Sequence, residues 1–352
     1  RNCCYPYWIQ TKESQLMPKT SLPRQLRKVA DKDLLAKLEA GLERVEEELI
    51  AAVAHTDPIA KVTTRHLIDA GGKRIRPTLV LLCAQLGDAS TDEVIKSAVV
   101  VELTHIGTLY HDDVMDNAPK RRGVDSAHEI WGNNVAILTG DLLFARASQL
   151  VSKLGQKALT LQADTFERLC LGQLNETVGP AEGQDVIEHY LSVLSDKTGS
   201  LISASAELGV LFSGADQNLR EPVRKYGEAI GVAFQLIDDV IDIHSDGKTS
   251  GKTPGTDLRA GVPTLPVLYL RQDAQHDPAS AKLVEIIDGG LEDDASLNDV
   301  LEQMRKHPAT ERAFQEAKRW ADQAIAALDD LPAGPVREAL TNFADAVIER
   351  QN

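Results

Sequence analysis

The chain has 352 residues, of which 43% are hydrophobic and 26% are charged, and its formal net charge is −15. This composition is typical of a globular protein and argues against a fibrous or disordered chain. The negative charge argues against a general electrostatic attraction to nucleic acid or to anionic lipid. An anionic ligand would therefore need a locally basic site or bridging metal ions.

The N-terminal segment, residues 1–16, contains Cys3, Cys4 and three aromatic residues, but it lacks the charged-then-apolar layout of a signal peptide. We interpret it as an expression remnant or a disordered leader and take Met17 as a plausible natural start. Residues 17–352 contain no long linker, so we expect one helical domain. The four cysteines form no C-x-x-C pair, and no apolar stretch has the length of a membrane-spanning helix, which favours a cytoplasmic protein without a transmembrane segment.

Helical periodicity dominates the rest of the chain. Leu35, Leu38, Leu42, Val45 and Leu49 alternate in steps of three and four, which predicts one face of an amphipathic helix. Similar patterns cover residues 94–109, 135–150, 159–174, 186–211, 223–243 and 297–348. Because no sustained period-two segment is found, we predict an all-α fold without a nucleotide-binding sheet.

Two acidic clusters have identical spacing. They are Asp112, Asp113 and Asp116, and then Asp238, Asp239 and Asp242. On a helix, the first and last aspartate of each cluster lie one turn apart on the same face, within apolar surroundings. Carboxylates in such a setting repel one another and are costly to desolvate unless cations neutralise them. An aspartate run is often only a solvated helix face, but two matched clusters favour Mg²⁺ binding.

Basic residues accompany the first cluster. The segment 71–77 places Gly71 and Gly72 before Lys73, Arg74 and Arg76, and the glycines allow the backbone to approach a ligand closely.

Arg121 and Arg122 follow the first cluster after a turn at Pro119. The planar guanidinium of arginine matches phosphate oxygens, so both basic groups are candidate diphosphate ligands, although either alone could be a solvated patch.

The segment 247–254 resembles a phosphate-binding P-loop but has Asp246 where that motif requires glycine. We therefore reject a nucleotide hydrolase, while keeping Lys252 as a candidate phosphate ligand.

Taken together, the ordered motifs at residues 71–77, 102–105, 112–116, 121–123, 197–198, 235–242 and 251–266 resemble the trans-prenyltransferase family, the isoprenyl (polyprenyl) diphosphate synthases. The resemblance covers most of the chain. It implies an isoprenoid-synthase fold, a single bundle of mostly antiparallel helices around a central cavity, usually as a homodimer. The implied reaction is the Mg²⁺-dependent head-to-tail condensation of isopentenyl diphosphate with an allylic diphosphate.

The resemblance also assigns roles to residues. The six aspartates would bind several Mg²⁺ ions that bridge to the allylic diphosphate from opposite walls of the cavity. The binding site of the allylic diphosphate would be completed by Arg121, Lys197 and Lys252, with Thr198 and Gln235 in supporting roles. Isopentenyl diphosphate would be bound by Lys73, Arg76, His105 and Arg122, although a histidine on an apolar helix is more often a core residue.

Product length is the least determined property. In the family, bulky residues one turn upstream of the first acidic cluster stop the growing chain, and here Gly107 and Thr108 are small. We therefore expect a medium- to long-chain product such as a quinone side-chain precursor. Alternatively, Gly107 only permits close helix packing, and Leu143 or Phe144 on another helix limits the product to farnesyl or geranylgeranyl length.

Other functions fit less well. A class I terpene cyclase usually carries an Asn/Ser/Glu motif in place of the second acidic cluster, and a non-catalytic subunit is expected to have lost aspartates or basic ligands. A helical cation-binding or scaffolding protein would have no need for the basic segments.

One departure from the family pattern is Val262, where lysine is common, so one expected cation is absent from the sequence.

Overall fold

The structure is a computed structural model that describes residues 22, 31–55, 57–244 and 254–349. In these ranges the α-helices are α1 (Lys32–Ala52), α2 (Pro58–Asp69), α3 (Ile75–Ala84), α4 (Asp92–Met115), α5 (Ala127–Trp131), α6 (Asn133–Val151), α7 (Gln156–Val178), α8 (Val186–Leu194), α9 (Ser200–Phe212), α10 (Arg220–His244), α11 (Thr256–Arg259), α12 (Leu265–Asp273), α13 (Pro278–Asp288), α14 (Asp294–Lys306), α15 (Pro308–Ala327) and α16 (Pro335–Ile348). A π-helix covers Ser195–Gly199, and short 3₁₀ turns cover Gln217–Leu219 and Leu328–Asp330.

The predicted all-α fold is confirmed. Regular β structure in the described ranges is limited to one antiparallel hairpin, β1 (Lys120–Arg121) and β2 (Val124–Asp125). Two predicted boundaries differ from the structure. The pattern over residues 186–211 is interrupted by the π-helix, and the pattern over residues 297–348 comprises three helices separated near Pro308 and Pro335.

The chain divides into two compact units. Unit 1 contains the described residues of Arg1–Asp164, Ala204–Glu221 and Ala333–Val336, and unit 2 contains those of Thr165–Ser203, Pro222–Pro332 and Arg337–Asn352.

Helix α4 is the central helix of unit 1. It packs against α1, α3 and, most extensively, α6. Its apolar residues are buried on every side over most of its length, which is typical of a core helix. Helix α1 buries Leu34, Leu38, Leu42, Val45 and Leu49, so Leu34 rather than Leu35 begins its fully buried stripe.

Unit 2 has a core formed by the end of α10 together with α11–α14, with Ile243, Leu258, Leu270, Leu301 and Met304 among its buried residues. Helix α12 packs against α8, α13 and α15.

Local sequence signals explain where many helices begin. Thr91 caps α4 by accepting a hydrogen bond from the Val94 backbone N–H, and Asp185 caps α8 in the same way. Helices α2, α13 and α15 begin at proline, which suits the first helical position because its missing N–H would have no helical partner.

Among the described residues, no helix combines the length and apolar character that crossing a membrane requires.

Candidate active site

The first acidic cluster lies at the C-terminal end of α4 in unit 1. Asp113 is 1% exposed, Asp112 is partly buried, and Asp116 is the exposed C-cap residue. The C-terminal end of a helix carries partial negative charge, so three carboxylates there are locally unfavourable. Burial raises the pKa of Asp113, although the neighbouring Arg121 guanidinium opposes that rise. This cluster is therefore a position where cations are strongly favoured.

The hairpin places Arg121 against the cluster. The turn residues Arg122 and Gly123 both have positive φ, 53° and 81°, as a two-residue hairpin turn requires. Arg121 Nε donates a hydrogen bond to Asp113 Oδ1 at 2.6 Å. Since Asp113 Oδ2 is buried and has no hydrogen-bond partner in the described part of the chain, one carboxylate oxygen is left for a further ligand.

Arg122 is bound mainly by the protein itself. Its Nη1 donates to the backbone carbonyls of Leu67, at 2.7 Å, and Gly71. Its Nη2 lies 3.5 Å from Glu102 Oε1. A Cβ on Gly72 would lie 3.0 Å from the Arg122 guanidinium carbon, so the glycine permits this close approach. The structure therefore brings Arg122 to the segment 71–77, where its predicted ligand role remains a proposal.

His105 lies among arginines on the basic side of unit 1. Burial lowers its pKa well below the usual value, and the positive charges of Arg76, Arg122, Arg74 and Arg121 lower it further. The imidazole is consequently neutral near pH 7. Four nearby arginines indicate a locally positive site in a chain of net charge −15.

Arg76 and Arg74 have different surroundings. Burial lowers the pKa of Arg76 to about 10, and its Nε has no hydrogen-bond partner among the described residues. The Arg74 side chain is fully buried and pairs with Glu46 at 2.5 Å and Glu102 at 2.8 Å. Arg74 is thus held by its two ion pairs, whereas the predicted role of Arg76 as a diphosphate ligand remains a proposal. Lys73 is exposed.

The space beside Gly107 is filled. A Cβ added there would lie 2.7 Å from Phe144 Cε1, and one added at Gly140 would lie 3.1 Å from the Gly107 carbonyl oxygen. The two glycines therefore let α4 and α6 approach closely. The Phe144 ring occupies the space beside Gly107 through which we expected the growing chain to pass. Thr108 is partly buried, and its Oγ1 donates to the His105 carbonyl at 2.7 Å.

The second acidic cluster lies on α10 in unit 2. Asp239 is 8% exposed, and its Oδ2 accepts hydrogen bonds from Tyr190 Oη at 2.7 Å and from the Leu265 backbone N–H at 3.4 Å. Burial raises the pKa of Asp239 to about 8, and the nearby carboxylates of Asp257 and Asp238 contribute to the rise. The sequence alone gave neither residue a role: no local motif distinguishes Tyr190, and Asp257 lies within the matched segment 251–266 without having been singled out.

Asp242 interacts with the backbone that follows the cluster. Its Oδ1 accepts from the Thr256 N–H and its Oδ2 from the Asp257 N–H, each at 3.1 Å. Its own carbonyl accepts from the Gly255 N–H at 2.8 Å. Asp242 therefore fastens α11 to the end of α10, a contact that the sequence did not predict.

Lys197 and Thr198 lie in the π-helix between α8 and α9. Such bulges are frequent at functional sites. Lys197 Nζ pairs with Glu176 Oε2 at 2.5 Å, and Thr198 is partly buried. Gln235 is partly buried on α10, about one turn before Asp238 and Asp239.

Arg168 holds the π-helix in place. It donates to Asp196 at 2.7 Å, to Ser195 Oγ at 3.0 Å and to Glu228 on α10 at 2.8 Å. The irregular backbone around Lys197 is thus fixed by side chains on either side.

Lys252 and most of the P-loop-like segment lie outside the described residues, so their predicted roles are untested. Val262 is 44% exposed.

The donor chemistry fits Mg²⁺, although the described residues contain no group of three His, Cys, Asp or Glu side chains already placed to hold a metal ion. Mg²⁺ is usually bound by one or two carboxylates, with water and phosphate oxygens completing its octahedral shell. Within unit 1 the first cluster offers such hard oxygen ligands, including the unpartnered Asp113 Oδ2, and within unit 2 the second cluster offers its own carboxylates.

Comparison with known proteins identifies the family. The model of the polyprenyl synthetase family matches residues 57–304. The chain belongs to this family. It is therefore a prenyltransferase, as its sequence motifs predicted.

Individual members of the polyprenyl synthetase family are similar over nearly the whole chain. A nonaprenyl diphosphate synthase of Mycobacterium tuberculosis is 44% identical over 325 residues, covering 92% of this chain and 96% of the relative. A geranylgeranyl pyrophosphate synthase from Corynebacterium glutamicum, crystallised with calcium and isoprenyl diphosphate, has a TM-score of 0.83 and 43% identity, covering 92% of this chain and 98% of its own. A polyprenyl synthase from Caulobacter crescentus, with the same ligands, has a TM-score of 0.82 and 34% identity, covering 93% of this chain and 100% of its own.

Proposed function

We propose that this chain catalyses the Mg²⁺-dependent head-to-tail condensation of isopentenyl diphosphate with an allylic diphosphate, giving a medium- to long-chain all-trans polyprenyl diphosphate. The observation that carries the proposal is that each acidic cluster contains one buried aspartate and lies in the same unit as basic residues suited to a diphosphate. The first cluster is joined by Arg121 and by the basic residues around His105. The second cluster lies in unit 2, which also contains Lys197.

In this proposal Asp112, Asp113 and Asp116, with Asp238, Asp239 and Asp242, hold Mg²⁺ for the allylic diphosphate. When bound, Mg²⁺ would neutralise the negative charge that develops on the departing diphosphate. The side chains of Arg121 and Lys197 would donate hydrogen bonds to the same leaving group and stabilise it as the allylic carbon–oxygen bond breaks.

Lys73, Arg76, His105 and Arg122 would hold isopentenyl diphosphate, whose double bond attacks the allylic carbon. The neutral His105 can donate one N–H to a phosphate oxygen while the arginines supply the charge. The proton lost from the new chain would pass to the released diphosphate, as the family resemblance implies, so no protein base is assigned.

Incubation with radiolabelled isopentenyl diphosphate, Mg²⁺ and each allylic primer in turn tests this function. We expect a labelled polyprenyl product that is sized after dephosphorylation. Absence of incorporation with every primer, together with cyclised hydrocarbon from a preformed diphosphate, would contradict it.

Asp112→Ala and Asp238→Ala should each abolish incorporation because each removes a carboxylate from one cluster. Circular dichroism should show that both variants remain folded. Retained activity in both variants would contradict a mechanism that needs both clusters.

Product length has a second candidate because Phe144 lies beside Gly107. If its ring limits the growing chain, wild-type product stops at farnesyl or geranylgeranyl length and Phe144→Ala lengthens it. If the chain passes elsewhere, wild-type product is longer and Phe144→Ala leaves its length unchanged. Leu143→Ala is a matched control on the same helix, since Leu143 is fully buried.

We also propose a homodimer, on the basis of the family resemblance. Two apolar side chains on α6 are exposed, Ile137 at 40% and Leu138 at 61% of their surface. They support a contact with a second copy of the chain through unit 1. Light scattering coupled to gel filtration would measure the mass. The predicted cytoplasmic location stays a prediction.

A further inference from the structure

We infer that Tyr190 is a positioning residue for the second acidic cluster, acting through Asp239 and needing no contact with substrate. The inference rests on the proposed function, in which that cluster holds Mg²⁺. Its structural basis is the 2.7 Å hydrogen bond from Tyr190 Oη to Asp239 Oδ2.

The hydrogen bonds distinguish the two oxygens of the Asp239 carboxylate. Oδ2 accepts from both Tyr190 and the Leu265 N–H, and the latter distance is longer, at 3.4 Å. Tyr190 is therefore the stronger of the two restraints on the carboxylate. With Oδ2 occupied, the second oxygen, Oδ1, is left for a cation, and the carboxylate is held in one orientation.

Tyr190 also connects two elements of the site. It lies on α8, which continues directly into the π-helix that contains Lys197 and Thr198. Asp239 lies on α10, 49 residues further along the chain. The hydrogen bond thus ties the element that carries the cationic ligand to the element that carries the carboxylates.

Tyr226 provides a matched control in the same unit. It is buried on α10, and its hydroxyl donates to the Leu340 carbonyl at 2.8 Å, away from the acidic residues. Replacing either tyrosine by phenylalanine removes its hydroxyl together with the hydrogen bond described for it, and the two bonds have similar lengths. The stability effect should therefore be comparable, whereas only Tyr190→Phe should alter metal binding.

The experiment measures Mn²⁺ binding to the full chain by electron paramagnetic resonance, in the presence of inorganic pyrophosphate. Asp238→Asn shows the effect of damaging the second cluster directly. Loss of an outer-shell hydrogen bond typically weakens metal binding by roughly 10- to 100-fold. We expect a change of that order for Tyr190→Phe and no change for Tyr226→Phe.

Steady-state kinetics provides a second readout. Tyr190→Phe should raise the Mg²⁺ concentration needed for half-maximal rate and lower kcat, while KM for isopentenyl diphosphate stays unchanged because its proposed ligands lie in unit 1.

The outcomes separate the inference from the proposed function. If Asp238→Asn weakens Mn²⁺ binding but Tyr190→Phe only lowers the melting temperature, as Tyr226→Phe does, the role of Tyr190 is overturned and the proposed function stands. If Asp238→Asn leaves Mn²⁺ binding unchanged, the second cluster is not a metal site and both fail.

Discussion

Three arginines near His105 have different surroundings. Arg74 is buried between two glutamates, Arg76 has an unpartnered Nε, and Arg122 donates to backbone carbonyls. Burying a guanidinium costs free energy unless carboxylates or carbonyls pair with it, since its charge is removed from water. Arg76 combines burial with an Nε that has no hydrogen-bond partner among the described residues, which is consistent with its proposed role as a diphosphate ligand.

Arg74→Ala should strongly destabilise the protein. Its removal leaves Glu46 and Glu102 without their main cationic partner, and breaking a buried pair in this way typically costs about 3–5 kcal/mol. Urea unfolding would measure the loss. Arg65→Ala is the control, because the Arg65–Asp69 pair on α2 is partly exposed and should contribute less than about 1 kcal/mol. Equal effects of the two substitutions would contradict this assignment.

His105 should make the protein less stable in mild acid. Its folded pKa lies well below the unfolded value of about 6.5, so below that pH the unfolded chain binds a proton that the folded chain does not. Stability is therefore undiminished above about pH 6.5 and falls as the pH decreases toward the folded pKa, by at most about 1.4 kcal/mol per pH unit.

His105→Gln should remove this component. Urea unfolding of the wild type and of His105→Gln at pH 7.0 and pH 5.5 would show a larger decrease in the free energy of unfolding for the wild type. Identical losses would mean that His105 does not titrate on unfolding in this range.

At the scale of elements, the π-helix shows how a local irregularity is maintained by packing. Arg168 pairs with residues of the π-helix and of α10. Two glycines of unit 2, Gly199 and Gly231, permit close backbone contact between the π-helix and α10. Neither helix propensity nor periodicity encodes such a bulge, because it results from the close approach of two helices.

Gly231→Ala should displace the π-helix. The new Cβ would lie 2.8 Å from Gly199 Cα, which is too close for a real contact. The backbone of the π-helix or of α10 would therefore have to move. Overpacking of this kind costs about 1–3 kcal/mol, and the movement of Lys197 should lower kcat. Thermal melting and steady-state kinetics would measure the two effects.

Gly289→Ala is a suitable control for that substitution. Gly289 has a negative φ of −71°, and the nearest atom to an added Cβ lies 3.3 Å away. It should alter neither kcat nor stability appreciably. A normal kcat in Gly231→Ala would indicate that the position of Lys197 is not critical.

At the scale of the whole molecule, the strongly negative chain contains a local concentration of positive charge near His105. The net charge opposes a general attraction of diphosphates to the surface. Under the proposed function we therefore expect diphosphate affinity to require both the arginines near His105 and cations at the acidic clusters.

Mg²⁺ and inorganic pyrophosphate together should stabilise the protein more than either alone. A ligand that binds only the folded state adds RT ln(1 + [L]/Kd), which is about 2.7 kcal/mol at a hundredfold excess over Kd. The melting temperature measured in four conditions, with each component, both or neither, would show the synergy. Asp112→Asn should reduce it.

Removing metal with EDTA should abolish turnover without unfolding the chain. The caps of α4 and α8 and the apolar core of unit 2, as far as the structure describes them, include none of the proposed metal ligands. Far-UV circular dichroism should therefore be unchanged. Loss of helical signal in EDTA would contradict this separation of folding from metal binding.

The fold class and the acidic candidate residues follow from local sequence patterns. Helical periodicity determined the all-α fold, because burial of one helix face depends on residues three or four positions apart. The spacing of Asp112, Asp113 and Asp116 likewise predicted that these side chains lie within one helical turn of one another. Such features involve neighbours within one or two turns, so they are visible without knowledge of the tertiary structure.

Other features depended on residues that are distant in the chain. The pairing of Arg74 with Glu46, the contact of Phe144 with Gly107 and the hydrogen bond of Tyr190 to Asp239 each join separate helices. No periodicity encodes these pairs, because they arise only when packing brings the helices together. The sequence by itself thus determined the fold class and the family, because both depend on patterns between near neighbours. The tertiary structure decided which distant side chains contact the candidate site residues.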